Sequence, residues 1–237
     1  MALTKVDVNM MEATGLGASK YLKGDGTWGT IATPAATGFV EMKVYTAASS
    51  VWTKPAGVTK IVVEVQGAGG GGGGGNVSKG AGGGGGGYSR KFLGASDLAN
   101  TTSADVAVGG NGSGGGSNAW GTDGGASTFT EKVGTGGWTE VKGLGGYGGA
   151  PTGGNGGAGG VASGGDMHID GGSGGVPNEN NVGGGTFFTP QHYSLSGSPN
   201  PPTASTGYGG GGEGSRGTSG YGGADGRSGI VIVWEYK

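Results

Sequence analysis

Glycine is the feature that most constrains how this chain can fold, because it occupies 68 of the 237 positions. Proteins on average carry about 7% glycine, so the share here is roughly four times the usual one. An interior glycine costs an α-helix about 1 kcal/mol relative to alanine, and glycine loses more backbone entropy on folding than any other residue. The chain therefore cannot form long helices. Its folded state needs dense backbone hydrogen bonding, or association with copies of itself, to offset that entropy.

Short segments with strand-like alternation separate the glycine tracts. They cover residues 39–46, 61–66, 88–93, 104–108, 127–133, 138–142, 166–170 and 230–236. In the two most apolar segments, the side chains that share one face are Ile61, Val63 and Val65 in the first and Ile230, Ile232 and Trp234 in the second. The pattern predicts an all-β, β-sandwich-like domain in which these two segments are central strands and these six side chains are the most buried.

The glycine tracts allow two interpretations. They lie at residues 67–75, 82–87, 109–116, 143–149, 153–160 and 207–223. Collagen requires glycine at every third position, and the run from Gly153 to Gly160 breaks that phase. The tracts are either flexible loops or extended left-handed polyglycine II helices packed side by side, since glycine has no Cβ to keep neighbouring backbones apart.

Residues 1–38 differ from the rest of the chain in having aromatic residues but no strand pattern that could form a core. Tyr21, Leu22 and Trp28 flank the turn-forming sequence Gly24-Asp25-Gly26. We interpret this segment as an extended N-terminal arm whose exposed apolar side chains serve attachment, by packing on sister chains or on a larger particle. Residues 39–237 then form one glycine-rich β domain.

Charge and composition argue against several classes of protein. The net charge is −2 and no basic run occurs, whereas nucleic-acid-binding proteins usually carry a basic stripe. Cysteine is absent, so disulfides and thiolate metal sites are impossible. No apolar run approaches the roughly 18 residues of a membrane span, and Met1–Met10 lacks the apolar core of a signal peptide. We expect a protein made in the cytoplasm, with no nucleic-acid partner and no membrane insertion.

Motifs that suggest chemistry are weak in this sequence. Gly143–Gly148 fits a dinucleotide-binding pattern, but the following Ala150-Pro151 cannot begin the helix that such a site needs. We therefore expect no cofactor and no enzymatic activity. Asp166, His168 and Asp170 would project from one face of a strand. They are either metal ligands, with His168 meeting its copies on a threefold axis, or the solvated face of a half-buried strand.

Aromatic residues set among glycines are the candidates for receptor contacts. Trp120, Tyr147, Tyr208 and Tyr221 each lie beside glycine, and Phe187, Phe188, His192 and Tyr193 crowd segment 176–206. Aromatic side chains on rigid loops are frequent binding hot spots. Alternatively, each ring lies flat over a glycine tract and shields its hydrogen bonds. Segment 176–206 is poor in glycine for this chain and is stiffened by proline, so we expect it to carry the receptor site.

Short islands of other residues interrupt the glycine at Val51–Val65, Gly86–Lys91, Gly124–Phe129, Gly164–Gly172, Thr186–Phe188 and Gly222–Val233. In this order they resemble the glycine-rich domain of bacteriophage tail fibre proteins, over about residues 40–237. Segment Tyr21–Trp28 is similar to a segment common in tail fibre shafts. A single glycine tract carries no specificity, but the ordered set of islands does. Segment 176–206 departs from the family because it is longer and contains less glycine.

The resemblance implies a virion protein of the tail fibre, usually a homotrimer, that mediates host attachment by receptor binding without catalysis. Its receptor would be a polysaccharide or an outer-membrane protein of the host surface, and its arm would bind other tail proteins. Two other functions remain open: a tail-associated polysaccharide depolymerase, and a purely structural connector or decoration protein of the tail.

Overall fold

A computed structural model of the chain describes residues 20–30, 38–134, 136–177, 181–191, 202–217 and 220–237. The chain divides into two compact units, Met1–Gly38 and Phe39–Lys237. In the first unit, β1 (Lys20–Leu22) pairs antiparallel with β2 (Trp28–Thr30). The turn between them is closed by the Lys23 N–H, which donates to the Thr27 carbonyl at 2.8 Å. Gly26 takes a φ of +81°, a conformation that favours glycine.

The described residues of the second unit form ten strands in two antiparallel sheets. They are β3 (Phe39–Tyr45), β4 (Ser49–Thr53), β5 (Lys60–Gln66), β6 (Tyr88–Leu93), β7 (Ser103–Ala107), β8 (Ser127–Val133), β9 (Val141–Gly143), β10 (Ala162–Ser163), β11 (Met167–Ile169) and β12 (Ile230–Tyr236). Sheet 1 has the order β11-β6-β5-β12-β3, and sheet 2 the order β10-β9-β8-β7-β4. Among the described residues the one α-helix is α1 (Ala95–Leu98). The prediction of an all-β, sandwich-like fold is confirmed.

The core lies between the two sheets and is built from the inward side chains of both. Trp52 of β4, Ile61 and Val63 of β5 and Phe129 of β8 are fully buried. The rings of Trp52 and Phe129 are 5.8 Å apart. Strand β4 was missed in the sequence because its short alternation, Ser-Ser-Val-Trp-Thr, offers only one large inward side chain.

The predicted core face of β5 is correct, whereas the predicted face of β12 is wrong. In β12, Val231, Val233 and Glu235 are fully buried, and Ile232 and Trp234 lie on the outer, partly exposed face. Glu235 is the physical reason, because one oxygen of its carboxylate finds both a hydrogen-bond donor and a cation inside the sandwich. Its Oε1 accepts a hydrogen bond from Trp52 Nε1 at 2.7 Å and lies 2.9 Å from Lys43 Nζ.

The glycine tract after β5, residues 67–75, is hydrogen-bonded to six other segments. Its N–H groups donate, in rotation, to three antiparallel neighbours: residues 81–87, 119–125 and 221–227. Its carbonyls accept from three parallel neighbours: residues 112–115, 146–152 and 212–215. The partner thus repeats every third residue, and no glycine between Gly67 and Gly87 has a positive φ. These features identify a left-handed polyglycine II helix, which has about 3 residues per turn.

The described residues contain ten such tracts, which we number in chain order as 67–75, 80–87, 109–115, 119–125, 144–150, 155–161, 171–175, 181–185, 209–215 and 221–229. Tracts 1 and 2 are bonded to each other and share tracts 5 and 9 as neighbours. The other eight form a closed ring around this pair. The result is a hexagonal lattice with a middle layer (tracts 3, 1, 2, 7) between two outer layers (tracts 4, 5, 6 and tracts 10, 9, 8). The tracts are packed helices and not flexible loops.

The lattice leaves little room for side chains between tracts, and the two central tracts are glycine at every position except Ala68 and Ala81. A Cβ on Gly70 would lie 2.2 Å from the Tyr147 carbonyl oxygen, and one on Gly83 would lie 2.2 Å from that of Gly70. Both contacts are with backbone, which cannot move without breaking its own hydrogen bonds. The absence of a side chain therefore permits the close packing that satisfies the buried N–H and C=O groups.

The lattice lies at one end of both sheets, because strands continue directly into tracts. For example, β5 runs into tract 1 at Gly67, and tract 10 runs into β12 at Ile230. At the other end of sheet 1, Phe39 pairs with Tyr236, so the second unit begins at the end remote from the lattice. The far end of the lattice carries the connections between tracts. We call residues 76–79, 116–118, 151–154, 216–217 and 220 the distal loops.

Candidate functional site

The distal loops contact one another through hydrogen bonds. The Gly153 N–H donates to the Lys79 carbonyl at 3.2 Å, and Ser117 Oγ donates to the Gly75 carbonyl at 3.5 Å. Val77 is 78% exposed at this end. The half-exposed ring of Tyr221 lies over Gly217. The distal loops therefore present polar backbone together with single apolar side chains on a rigid base.

The outer layer of tracts 4, 5 and 6 forms a second exposed surface, with one residue in three pointing outward. In tract 5, positions 145 and 148 face tract 4, and positions 146 and 149 face tract 2. Positions 144 and 147 therefore face away from the lattice. The outward residues are Trp120 and Asp123 in tract 4, Leu144 and Tyr147 in tract 5, and Asn155, Ala158 and Val161 in tract 6. Trp120 is 64% exposed and Tyr147 54%.

Within segment 176–206, residues 181–185 form tract 8 of the lattice, and Phe187 and Phe188 after them lie at the junction of sheet 1 with the lattice. The ring of Phe187 stacks on Tyr88 at 4.1 Å, and Phe188 meets the same ring edge-on at 5.6 Å. Tyr88 is fully buried and donates to Glu64 Oε1 at 2.7 Å. Burial, reinforced by that hydrogen bond, raises the pKa of the Tyr88 hydroxyl. His192 and Tyr193 lie outside the described residues.

A scan against protein-family models matches the glycine-rich domain over residues 45–236. The chain belongs to this glycine-rich domain family. A search of curated proteins finds no match. The match spans all ten tracts and every strand of the two sheets except β3, so the lattice and the sandwich are parts of one glycine-rich domain.

Tyr208 and Tyr221, the other two predicted aromatic residues beside glycine, do not lie together in this glycine-rich domain. Tyr208 precedes tract 9 near the sheets, and Tyr221 begins tract 10 at the distal loops. Tyr208 lines a shallow pocket of about 280 Å³ together with Thr206, Gly207, Arg227 and Ser228. The Arg227 side chain is held by the Ser205 carbonyl.

The three candidate metal ligands on β11 are engaged separately with backbone N–H groups. Asp166 Oδ2 accepts from Phe92 N at 2.7 Å, His168 Nε2 from Gly165 N at 2.9 Å, and Asp170 Oδ1 from Ala162 N at 3.0 Å. In the part of the chain that the structure describes, no three His, Cys, Asp or Glu side chains come together as a metal site. Strand β11 is exposed on both faces, so the expectation of a half-buried strand is wrong.

The outer face of sheet 1 is the third exposed surface and it is apolar. Met42, Trp234, Val62 and Phe92 follow one another across four strands, and Met42 and Phe92 are exposed. Trp234 Nε1 donates to Glu64 Oε2 at 2.9 Å, which orients the indole along the sheet. Among the described residues, no helix is long and apolar enough to cross a membrane.

The sequence did not lead us to predict that the outward side chains of tracts 4–6 form one surface. Trp120 and Tyr147 were singled out, but Asp123, Leu144 and Val161 were not. The signal is present in the sequence as a repeat of one variable residue followed by two glycines, at residues 144–149 and 155–161. A helix with about 3 residues per turn brings every variable position of that repeat to one side.

Proposed function

We propose that this chain is the distal, host-binding part of a bacteriophage tail fibre, a virion protein made in the host cytoplasm. The observation that carries the proposal is that the second unit begins at one end and has its distal loops at the opposite end. Phe39 begins this unit at one end of the sheets, and the distal loops lie at the far end of the lattice. A fibre tip needs this arrangement, because its attachment point and its receptor-binding end face opposite ways. The ordered islands that resemble tail fibre proteins support the same function.

The lattice suits non-catalytic adhesion because it holds exposed side chains on a rigid base. Rigid groups lose little conformational entropy when they bind. The receptor is a polysaccharide or an outer-membrane protein of the host surface. Weak sites on several chains and several fibres act together, so that avidity arises from effective concentration. The receptor contacts come from the exposed aromatic residues Trp120, Tyr147, Tyr208 and Tyr221, and from Phe187, Phe188, His192 and Tyr193 in segment 176–206.

The fibre assembles as a homotrimer in this proposal. Tyr21, Leu22 and Trp28 of the N-terminal arm contact sister chains and other tail proteins, and the apolar outer face of sheet 1 offers a further surface for association. Exposed apolar patches of this kind mark interaction sites on soluble proteins. Light scattering of the purified chain should then give three times its mass of 22.5 kDa. A monomer at micromolar concentration would contradict the trimer.

Adhesion is tested by the binding of the fluorescently labelled chain to a panel of bacterial strains. We expect saturable binding to a subset of strains, with no release of reducing sugar from them. Binding to none of the strains counts against adhesion, and sugar release identifies a depolymerase instead.

Two sets of alanine substitutions then locate the receptor contacts: Phe187, His192 and Tyr193 in the first, and Tyr147, Tyr208 and Tyr221 in the second. If segment 176–206 carries the site, the first set weakens binding at least tenfold while the trimer stays intact. Loss of binding in the second set alone assigns the site to the glycine tracts.

A further inference from the structure

The outer layer of tracts 4, 5 and 6 combines flatness with rigidity. The backbones of tracts 4 and 5 are joined by hydrogen bonds from Gly121 N to Gly149 O at 3.0 Å and from Gly124 N to Gly146 O at 2.9 Å. Tyr147 N in turn donates to Ala158 O of tract 6 at 2.9 Å. Every side chain of this layer therefore stands on a backbone that is fixed on both sides.

Two aromatic rings stand on this layer without a covering side chain. Tyr147 is flanked by Gly146 and Gly148, and Trp120 precedes Gly121, so sequence neighbours cannot shield either ring. Among the described residues, neither ring stacks on another aromatic ring, in contrast to Phe187 on Tyr88. Their exposed faces are available for a ligand with an apolar face of its own.

A carboxylate, that of Asp123, lies on the same layer, next to Tyr147. Asp123 is on the same outward edge as Trp120, one helical turn or about 9 Å along tract 4. Its Oδ1 accepts a hydrogen bond from Gly148 N, next to Tyr147, at 2.8 Å. Its other oxygen has no hydrogen-bond partner within the described part of the chain and can accept from a ligand hydroxyl. Asn155, exposed on tract 6, adds an amide to the same face.

We propose that this layer is a carbohydrate-binding platform, on which Tyr147 and Trp120 stack against sugar rings and Asp123 accepts hydrogen bonds from sugar hydroxyls. The proposal rests on the proposed adhesion function and names its receptor class as polysaccharide. The ligand is a neutral polysaccharide, because Asp123 is the one charged residue at the outward positions of tracts 4–6 and would repel acidic sugars. Leu144 and Val161 extend the apolar part of the platform.

The size of the surface favours a glycan over a protein partner. Its exposed apolar side chains are Trp120, Leu144, Tyr147 and Val161. A specific protein–protein interface buries roughly 1,000 Å² or more, which four side chains separated by glycine cannot supply. A polysaccharide needs only a few stacking rings and nearby hydrogen-bond acceptors, and it gains strength from repetition along its own chain.

The test uses the intact chain and two surface fractions from a strain that it binds: purified polysaccharide, separated into neutral and acidic parts, and detergent-extracted outer-membrane protein. Binding is measured by calorimetry for the wild type and for Tyr147→Ala, Trp120→Ala and Asp123→Asn. Val51→Ala is the control, since it removes an exposed apolar side chain of β4, outside the platform and outside the proposed receptor contacts. Thermal unfolding confirms that each variant keeps its fold.

We expect the neutral polysaccharide to bind, each platform variant to weaken that binding at least tenfold, and Val51→Ala to leave it unchanged. Binding only to the protein fraction, preference for the acidic polysaccharide, or equal affinity of Tyr147→Ala and wild type each overturns the platform. In any of these outcomes the adhesion to whole cells persists, so the platform fails while the proposed function stands. If the chain binds no cells at all, the proposed function itself fails.

Discussion

Gly70→Ala is the most direct perturbation of the lattice, because Gly70 lies in the middle of tract 1. The new Cβ would lie 2.2 Å from the carbonyl oxygen and 2.5 Å from the carbonyl carbon of Tyr147. The tracts must separate to admit it. Separation of tract 1 from tract 5 breaks the bonds from Gly146 N to Ala68 O at 2.9 Å and from Gly149 N to Gly71 O at 2.8 Å, and displacement of the Tyr147 carbonyl breaks the bond from Gly84 N to Tyr147 O at 2.8 Å.

The cost follows from the number of buried groups left without partners. Each buried polar group that loses its hydrogen bond costs about 1–3 kcal/mol, so three broken bonds destabilise the fold by roughly 3 kcal/mol at the least. For a domain of this size, 1 kcal/mol corresponds to a shift in Tm of about 2–4 °C. We therefore expect the Tm of Gly70→Ala to fall by about 6–12 °C or more, measured by calorimetry on the purified chain.

Gly110→Ala is the matched control for this experiment. A Cβ at Gly110 meets no atom within 4 Å, and its φ is not positive. Substituting alanine at such a position reduces the entropy of the unfolded chain and stabilises a protein by about 0.4–1 kcal/mol. If Gly70→Ala is as stable as Gly110→Ala, the tracts are not closely packed and the lattice is refuted.

Three further predictions concern the sandwich. Val63→Asp places an unpaired charge between the sheets and should abolish soluble protein; full recovery of folded chain would show that the inward face of β5 is misassigned. Burial raises the pKa of the Tyr88 hydroxyl in the folded state above the value of 10.0 that it has in the unfolded chain. The protonated hydroxyl therefore gives its full stabilisation below pH 10.0 and loses it as the pH rises above 10.0. The free energy of unfolding of the wild type should exceed that of Tyr88→Phe by about 1 kcal/mol at pH 8. Urea titrations should show that this difference narrows between pH 8 and pH 11. The double variant Met42→Lys, Phe92→Lys should weaken self-association, measured by light scattering. Its Tm should stay within a few degrees of the wild type, since both side chains are exposed. An unchanged mass would exclude the outer face of sheet 1 from the interface.

The strands of this protein were largely predictable from local pattern, whereas their faces depended on distant partners. Alternation in residues 61–66 correctly identified β5 and its inward side. In β12 the same reasoning chose the wrong side, because Glu235 looks like a solvent-facing residue. Its partner Trp52 lies 183 positions away in the chain, and alternation within one strand contains no information about such a partner.

The lattice illustrates the opposite case, in which the local composition is obvious and the arrangement is not. Glycine content alone is compatible with flexible loops or packed helices. The choice is made by hydrogen bonds between segments as distant as Gly72 and Ala224, which no local pattern encodes. What the sequence does contain is the repeat of one variable residue and two glycines, which marks the outward side of tracts 5 and 6.

This repeat separates folding from recognition within a single segment. In tract 5 the glycines at 145, 146, 148 and 149 face neighbouring tracts and cannot be replaced without a clash with backbone. Leu144 and Tyr147 alternate with them and face away from the lattice. A change at an outward position alters the chemistry of the surface but leaves every backbone–backbone hydrogen bond between tracts in place. A scaffold of this kind can therefore change its ligand through single substitutions at little cost in stability, which is the property that an adhesin needs when the surface of its host varies.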